Sequence, residues 1–432
     1  MLVAFVSFVL TAVVGLAGEE PVTYSEHVRP ILEQHCASCH REGEVAPMAL
    51  RTFEQTRPWA RAIARETSAR RMPPWFADAE AGVFRNDARL ADAEVDLLQR
   101  WAQQGAAQGP PIDAGAPAAF DGWRLGTPDR IVAMPEPFPI PAQGEIDYVY
   151  VLLDTGLDED RWLRGVEVLA GERSVIHHID VMLCSLACRQ DLPLRVGQPG
   201  FLPRSKITEP PIFRRDADLD GDGGDFLFSY LPGGQPVTLP AGSGRLLPRG
   251  SMLLLSLHYT ATGEAVSDLT RVGLYFDDAP PQKRVLSMIF DNQTIWIPAG
   301  EDDYVAASEA TFGVDVELLA LTPHMHFRGR ASEILATFPD GRRMSLLSVP
   351  RYDFNWQITY VFAEPVRLPA GTRVTVNSTF DNSASNPFNP DPTVPVAWGR
   401  QSWDEMSSAF LEIAVPLDTD LERLIAPSEA VP

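Results

Sequence analysis

The sequence predicts a multidomain chain: a small all-α domain followed by two all-β sandwich domains of jelly-roll-like type. Three observations predict it. The chain is 432 residues long, more than one hydrophobic core usually organises. Helical periodicity runs from Tyr24 to a stretch rich in Gly, Ala and Pro and then stops. Beyond that stretch come short apolar or β-branched runs separated by Pro, Gly and Asp, with no helical interludes. A hydrophobic content of 45% favours folded domains over disorder.

Taken in order, Leu2 to Ala17 is an unbroken run of apolar and small residues ending in Gly15-Leu16-Ala17-Gly18, before Glu19 and Glu20. Such a run reads as a signal peptide over 1–18 and directs the chain to the periplasm or outside the cell. No Lys or Arg precedes it, so an uncleaved anchor is the alternative; a bilayer span takes about 20 residues, more than this run offers. Membrane contact is expected only if the segment stays attached.

Residues 19–108 form the expected helical domain, with an amphipathic start through His27, Ile31 and Leu32, a second stretch from Phe53 to Arg71 and a third from Leu90 to Trp101. Gly109-Pro110-Pro111 opens the linker, 109–125, whose backbone can neither propagate a helix nor pair well as a strand. Runs such as Tyr148 to Leu153, Met252 to Leu257 and Val374 to Val376 then read as strands. The first sandwich is placed at 126–279 and the second at 280–425, divided where Pro280 and Pro281 interrupt the pattern between Asp277 and Lys283; 426–432 is a tail.

A formal charge of -22 sets the chain against phosphate backbones and anionic lipid surfaces, which excludes nucleic acid as a partner. One acidic cluster, Asp216 to Asp222, resembles the start of a calcium loop but has Leu227 where the last ligand of an EF-hand falls; a solvated turn is the preferred reading and another kind of calcium site the alternative.

Cys36-Ala37-Ser38-Cys39-His40 has the spacing at which two thiols can bond the vinyl groups of a haem while the next imidazole reaches the iron. In an exported chain it predicts one haem c, held by Cys36, Cys39 and His40. The competing reading is a CxxC redox or zinc pair that happens to precede a histidine. For the other axial position Met72 is preferred over Met48, His27 and His35, because Pro73-Pro74-Trp75 follows it and stiffens the loop that would present the sulfur.

Six of the eight histidines lie in four short motifs, and apart from His40 these are His177-His178, His258 and His324-Met325-His326. Imidazole is a favoured copper ligand. Adjacent His177 and His178 would face opposite sides of a regular strand unless a bulge or twist brings both to one ion. His324 and His326 have the i, i+2 spacing that puts two rings on one strand face. Met406 follows Asp404 and Glu405 near the C-terminus.

His-His, a single His in an apolar strand, His-x-His, and a Met after acidic residues, in that order, resemble the ligand motifs of the copper type II ascorbate-dependent monooxygenases. The resemblance runs from about Asp129 to Val415. It implies one copper held by His177, His178 and His258, and a second, oxygen-binding copper held by His324, His326 and Met406, which would be the catalytic residues. A thioether favours Cu(I), which agrees with that division. It also implies a place for Cys184 like that in the animal members, where Cys188 could close a disulfide with it. The peptide-hydroxylating member grips its substrate carboxylate with Arg, Asn and Tyr; the matching positions here are Thr322, Ser408 and Phe410, which argues against peptide amidation. Ser256 stands where that enzyme has a glutamine, and Met325 fills the middle of the His-x-His motif.

The function expected from these readings is hydroxylation of a C–H bond in a small organic substrate with O2, using two copper ions. Electrons would come through the tethered haem, in place of or alongside ascorbate or a redox protein. The alternatives are a non-enzymatic copper and haem electron-transfer protein and, further off, a haem sensor or docking protein whose β domains are binding modules.

Overall fold

A computed structural model describes residues 20–80, 82–110, 122–144, 146–184, 194–201, 225–231, 234, 236–399 and 401–426. The leader at 1–18, much of the linker, the Asp216 to Asp222 cluster, Cys188 and the tail lie outside them.

The chain is mostly β-sheet, and its strands group around two cores. The first core joins Val149, Val151, Leu253 and Leu255 to Leu163, Val166, Val272 and Leu274, so two sheets face each other across it. One is a five-stranded sheet in the order Pro199–Gly200, Val149–Asp154, Met252–Tyr259, Ile176–Cys184, Asp225–Tyr230. The second core draws in the same way on a four-stranded sheet, Tyr304–Thr311, Arg373–Phe380, Gly329–Thr337 and Arg343–Val349, and on the strands Lys283–Asp291, Ser408–Pro416, Val316–His324 and Tyr360–Leu368.

The outer layers of the two cores are one sheet. Ser243–Leu247 pairs in parallel with Lys283–Asp291 through Ser243↔Lys283 and Gly244↔Arg284, which fuses the halves into a nine-stranded sheet. Buried Arg245 fastens this seam: its Nη2 donates to Glu412 Oε1 at 3.1 Å and to Ser287 Oγ at 3.0 Å, and its Nη1 to the Phe226 carbonyl at 3.1 Å.

At the N-terminal end, short helices cover a core of their own that includes Tyr24, Leu32, Leu50, Leu98 and Trp101. They span Arg29–His35, Phe53–Thr56, Ala60–Ser68 and Asp92–Gln103. The stretch expected as one helix from Phe53 to Arg71 is broken by a 3-10 turn at Arg57–Trp59 containing Pro58, which cannot donate to the helical ladder. Thr52 and Gln55 form a capping box at its start.

This helical part is not closed off from the β part. Between Met72 and Leu90 the chain crosses to the second β core, where Trp75, Ala77 and Phe84 are buried. Trp75 meets Tyr360 edge-on at 5.0 Å between ring centroids, Asp78 N–H donates to the Ser348 carbonyl at 2.8 Å, and Arg85 N–H donates to that of Val361 at 2.9 Å. Among the described residues no helix is long and apolar enough to cross a membrane.

Candidate metal centre

The strand Ile176–Cys184 pairs with Met252–Tyr259 so that His178 is opposite His258, after which the register slips and Tyr259 is opposite Ile176. His177 is the extra residue of this bulge, which turns its ring to the same side as the other two. The three imidazoles place one ligand nitrogen each within 4.8 Å of one another. The short turn Arg173–Val175, braced by Ser174 Oγ donating to Glu172 Oε1 at 2.6 Å, feeds the bulge.

The second pair is built differently from the expected strand clamp. His324 is the last residue of its strand, Val316–His324, and His326 lies in the turn beyond it. Their rings still approach to 5.2 Å at nearly a right angle. The backbone leaves the sheet at Met325 because the Tyr352 phenol takes the place of a partner strand, accepting from Met325 N–H at 3.1 Å and donating to its carbonyl at 2.8 Å. Gly329 lets this turn close: a Cβ there would sit 2.6 Å from Met325 Cβ.

The atoms present suit a soft, imidazole-loving cation. His177 Nε2 and His258 Nδ1 are buried with no hydrogen-bond partner, an expensive arrangement unless a ligand claims them. His324 Nδ1 faces Gln357 Oε1 at 2.6 Å and His326 Nδ1 faces the Asp404 carbonyl at 3.3 Å. Both acceptors fix the proton on Nδ1 and leave each Nε2 lone pair available.

Burial keeps all five rings neutral, the ligating form. It lowers His258 to about 3, helped by His177, and His324 to about 4, opposed by the Gln357 contact. His178 and His326 fall well below the usual range, again through burial first and then through neighbouring imidazoles.

Those neighbours include histidines from the other set: His324 and His326 act on His178, and His258 acts on His326. Phe354 stands between the sets, its ring centroid 5.3 Å from His177, 6.2 Å from His258 and 6.1 Å from His326. The five imidazoles therefore form a single neighbourhood at the junction of the two β cores.

Met406 is partly buried and packs against the cluster of Ile297, Met325 and Trp398. It sits between Glu405, whose carboxylate accepts from His326 N–H at 2.9 Å and Arg328 N–H at 2.6 Å, and Ser408, which pairs with His324 in the sheet. Burial pushes the Glu405 carboxyl up to about 8, against the pull of those two N–H donors. Sequence reasoning left out Glu405, Gln357, Phe354 and Asp180. Asp180 lies 3.7 Å from His178 Nε2 and is raised to about 6 by burial.

The positions that differ from the peptide-hydroxylating pattern are all occupied with partners of their own. Thr322 meets Thr359 at 2.8 Å, Ser408 donates to Asp291 at 2.7 Å, and Phe410 stacks on Phe226 with centroids 4.4 Å apart. Ser256 is buried opposite Asp180. Cys184 is buried at the end of its strand, and the pairing expected with Cys188 falls outside the described residues.

In the helical part, Cys36 to His40 follow directly from the helix Arg29–His35, with Cys36 N–H donating to the Leu32 carbonyl at 2.9 Å. His40 Nδ1 lies 3.2 Å from the Met48 carbonyl, an acceptor that leaves Nε2 to face a metal. Burial pushes Cys36 up to about 12 and raises Cys39 as well, the opposite of the lowered thiols in redox CxxC pairs. Met48 packs with Cys36 in the helical core, whereas Met72 is 36% exposed where the chain turns toward the second β core.

This segment is seated on the strand that carries His177 and His178. Glu44 Oε1 accepts from Arg173 Nη1 at 2.7 Å and from Arg41 Nε at 3.1 Å, and Arg173 opens the turn that leads to His177. Tyr230, paired with Ile179 of that strand, is raised by burial and then by nearby Glu44, with Cys39 also within reach.

No family model matches the chain, and no curated protein matches it. Solved structures with a partial likeness include that of the infectious bursal disease virus Gx strain, 8% identical over 69% of this chain and 75% of that one, with a TM-score of 0.20. Allantoicase is 10% identical over 57% of this chain and 79% of its own, at 0.13. The tandem CBM22-1-CBM22-2 domain of Paenibacillus barcinonensis Xyn10C is 10% identical over 68% and 95%, at 0.14. Likeness at these scores carries no functional argument.

Proposed function

We propose that the chain is an exported copper-dependent monooxygenase that hydroxylates a C–H bond of a small organic substrate, fed with electrons by a tethered haem c. The observation that carries this reading is the convergence of His177, His258 and His326 around Phe354, with His178 and His324 beside them and two buried imidazole nitrogens left without partners. When bound, copper would supply dioxygen activation, and haem would supply one-electron delivery.

The chain's own residues prepare for this. The bulge at His177 and the Tyr352-held turn at Met325 aim the rings. Gln357, Asp404 and Glu405 fix their orientation, and burial keeps them unprotonated. Met406 is the proposed thioether ligand of the His324 and His326 pair. Cys36, Cys39 and His40 would hold the haem, together with Met72, Met48 being the alternative. Under this reading 19–108 is a cytochrome c-like domain, and 126–279 and 280–425 are two jelly-roll-like sandwiches.

Metal analysis with EPR tests it, on protein matured with haem, comparing wild type with His258→Ala and Met406→Ala. Two coppers and one haem per chain, with each substitution altering a different copper signal, is the expected result. Haem without stoichiometric copper would overturn the monooxygenase reading and leave the β domains as binding modules.

A further inference from the structure

The strand Ile176–Cys184 buries Ile179, Val181 and Leu183 in the first β core, so His178 and Asp180, two residues apart, share its opposite face. Asp180 lies between two serines in the sheet, paired with Ser229 on one side and Ser256 on the other. Ser229 Oγ donates to its Oδ1 at 2.7 Å, and Oδ2 is turned toward His178 Nε2 at 3.7 Å. That separation is too long for a hydrogen bond, but a carboxylate charge so near acts strongly on a ring that is 2% exposed. Among the described residues no Arg or Lys pairs with Asp180 to cancel it.

Asp180 also stands outside the group of side chains that could share one ion, which holds His177, His178 and His258 alone. His178 turns Nδ1 inward to His177 Nδ1 at 3.0 Å, which leaves Nε2 as the outer nitrogen that Asp180 backs. The second pair is surrounded differently. His324 Nδ1 faces the neutral Gln357 amide and His326 Nδ1 faces the Asp404 carbonyl. Glu405 is turned to backbone N–H groups, and the buried Arg328 guanidinium opposes its charge. A negative charge behind an imidazole ligand favours Cu(II) over Cu(I), because the oxidised ion carries one more positive charge and the polarised ring is a better donor. Neutral acceptors do less of this, and a thioether favours Cu(I).

We infer that Asp180 is a positioning residue that acts through His178: its carboxylate sets the copper of His177, His178 and His258 at a lower reduction potential than the copper of His324, His326 and Met406, and so gives electron flow its direction. The step is one electron, lost by the first copper and gained by the second, with no bond made or broken. The inference rests on the two-copper reading.

The test is a redox titration of the full-length, copper-loaded protein at pH 8, followed by EPR, with the signals of the two sites assigned from His258→Ala and Met406→Ala. Wild type should show the lower midpoint at the first site. Asp180→Asn keeps the shape and should move the first site's preference toward Cu(I) by at least about tenfold, a rise of about 59 mV, while Asp180→Glu should keep most of the wild-type value. The second-site midpoint should hold in both variants, which a general loosening of the fold would not allow. A first-site midpoint at or above the second in wild type, a smaller shift in Asp180→Asn, or an equal rise in Asp180→Glu would overturn the inference. Copper content of the same samples separates the two questions. Full loading of both sites with no effect of Asp180→Asn sinks the role of Asp180 and leaves the monooxygenase reading standing, whereas wild type that does not load the first site sinks both.

Discussion

If the CxxCH segment delivers electrons to the histidine cluster it must stay seated on the first β core, and the Glu44–Arg173 ion pair is where that seating can be broken. The Glu44 side chain is 3% exposed, its carboxylate shared by Arg173 at 2.7 Å and by Arg41. Glu44→Gln keeps the shape but leaves two guanidinium groups facing a neutral amide. Removing one partner of a fully dry pair costs about 3–5 kcal/mol. Here Arg173 and Arg41 are 17% and 13% exposed, so water reaches both and the expectation drops to roughly 2 kcal/mol. A double-mutant cycle with Arg173→Gln should give a coupling of at least about 1 kcal/mol. Because the pair is buried, moderate salt should change it little. Thermal unfolding followed by circular dichroism supplies the cycle, and hydrogen exchange over residues 36–50 locates the loosening. The haem-matured, copper-loaded variant should also show slower haem-to-copper electron transfer after photoreduction. A coupling below about 0.5 kcal/mol, with unchanged exchange protection over those residues, would refute the clamp.

The remaining predictions concern the histidine cluster. In metal-free protein His324 sits at about 4, against an ordinary value of 6.5, so the folded state refuses a proton that the unfolded state accepts as pH falls through 6.5. Stability from this ring is therefore full above pH 6.5 and lost toward pH 4. Relative to His324→Gln, metal-free wild type should lose about 2 kcal/mol between pH 7 and pH 5, read from denaturant midpoints; parallel pH profiles of the two proteins would contradict this. Glu405→Ala removes the acceptor for the His326 and Arg328 N–H groups and should weaken copper binding about 10–100-fold in competition with a chelator, with Glu405→Gln recovering part of the loss. Equal affinity in all three proteins would show that Glu405 does not position His326.

The break from helix to strand, the order of the histidine motifs and the need for a bulge or twist at His177 were legible in the sequence because each rests on local spacing. What brings the rings together was not. The His324 and His326 pair meets through a turn held by Tyr352, a contact 27 residues distant that no i, i+2 rule encodes. Phe354 gave no signal, since an aromatic residue in a Pro- and Asp-bounded loop reads as packing until its neighbours are known. Glu405 stood in plain view before Met406 as one more acidic residue, and only its burial shows that it faces inward. Nor did the sequence signal that Trp75, Ala77 and Phe84 join the second β core, because they look like ordinary apolar positions whichever core they enter.

That last point decides how the chain can be dissected. Deleting everything before Pro117 would strip three buried side chains and the Asp78 and Arg85 backbone contacts from the second β core as well as removing the CxxCH motif. Lost activity in such a truncation would then report a damaged core as readily as a missing electron donor, whereas Glu44→Gln leaves the second β core intact and acts at the seat of the motif and the Arg173 turn. The same continuity bears on the histidines. The parallel pairing at Ser243 and Lys283, the buried Arg245 with Glu412, and the Phe226–Phe410 stack all cross the seam between the halves. A hinge there would have to break a sheet pairing and a buried ion pair together, so the approach of both histidine sets to Phe354 is a property of the folded body. Under the proposed function, electron exchange between the two sets would require no domain closure, and its rate should be insensitive to solvent viscosity; a rate that falls in proportion to added glycerol or sucrose would show that the seam opens.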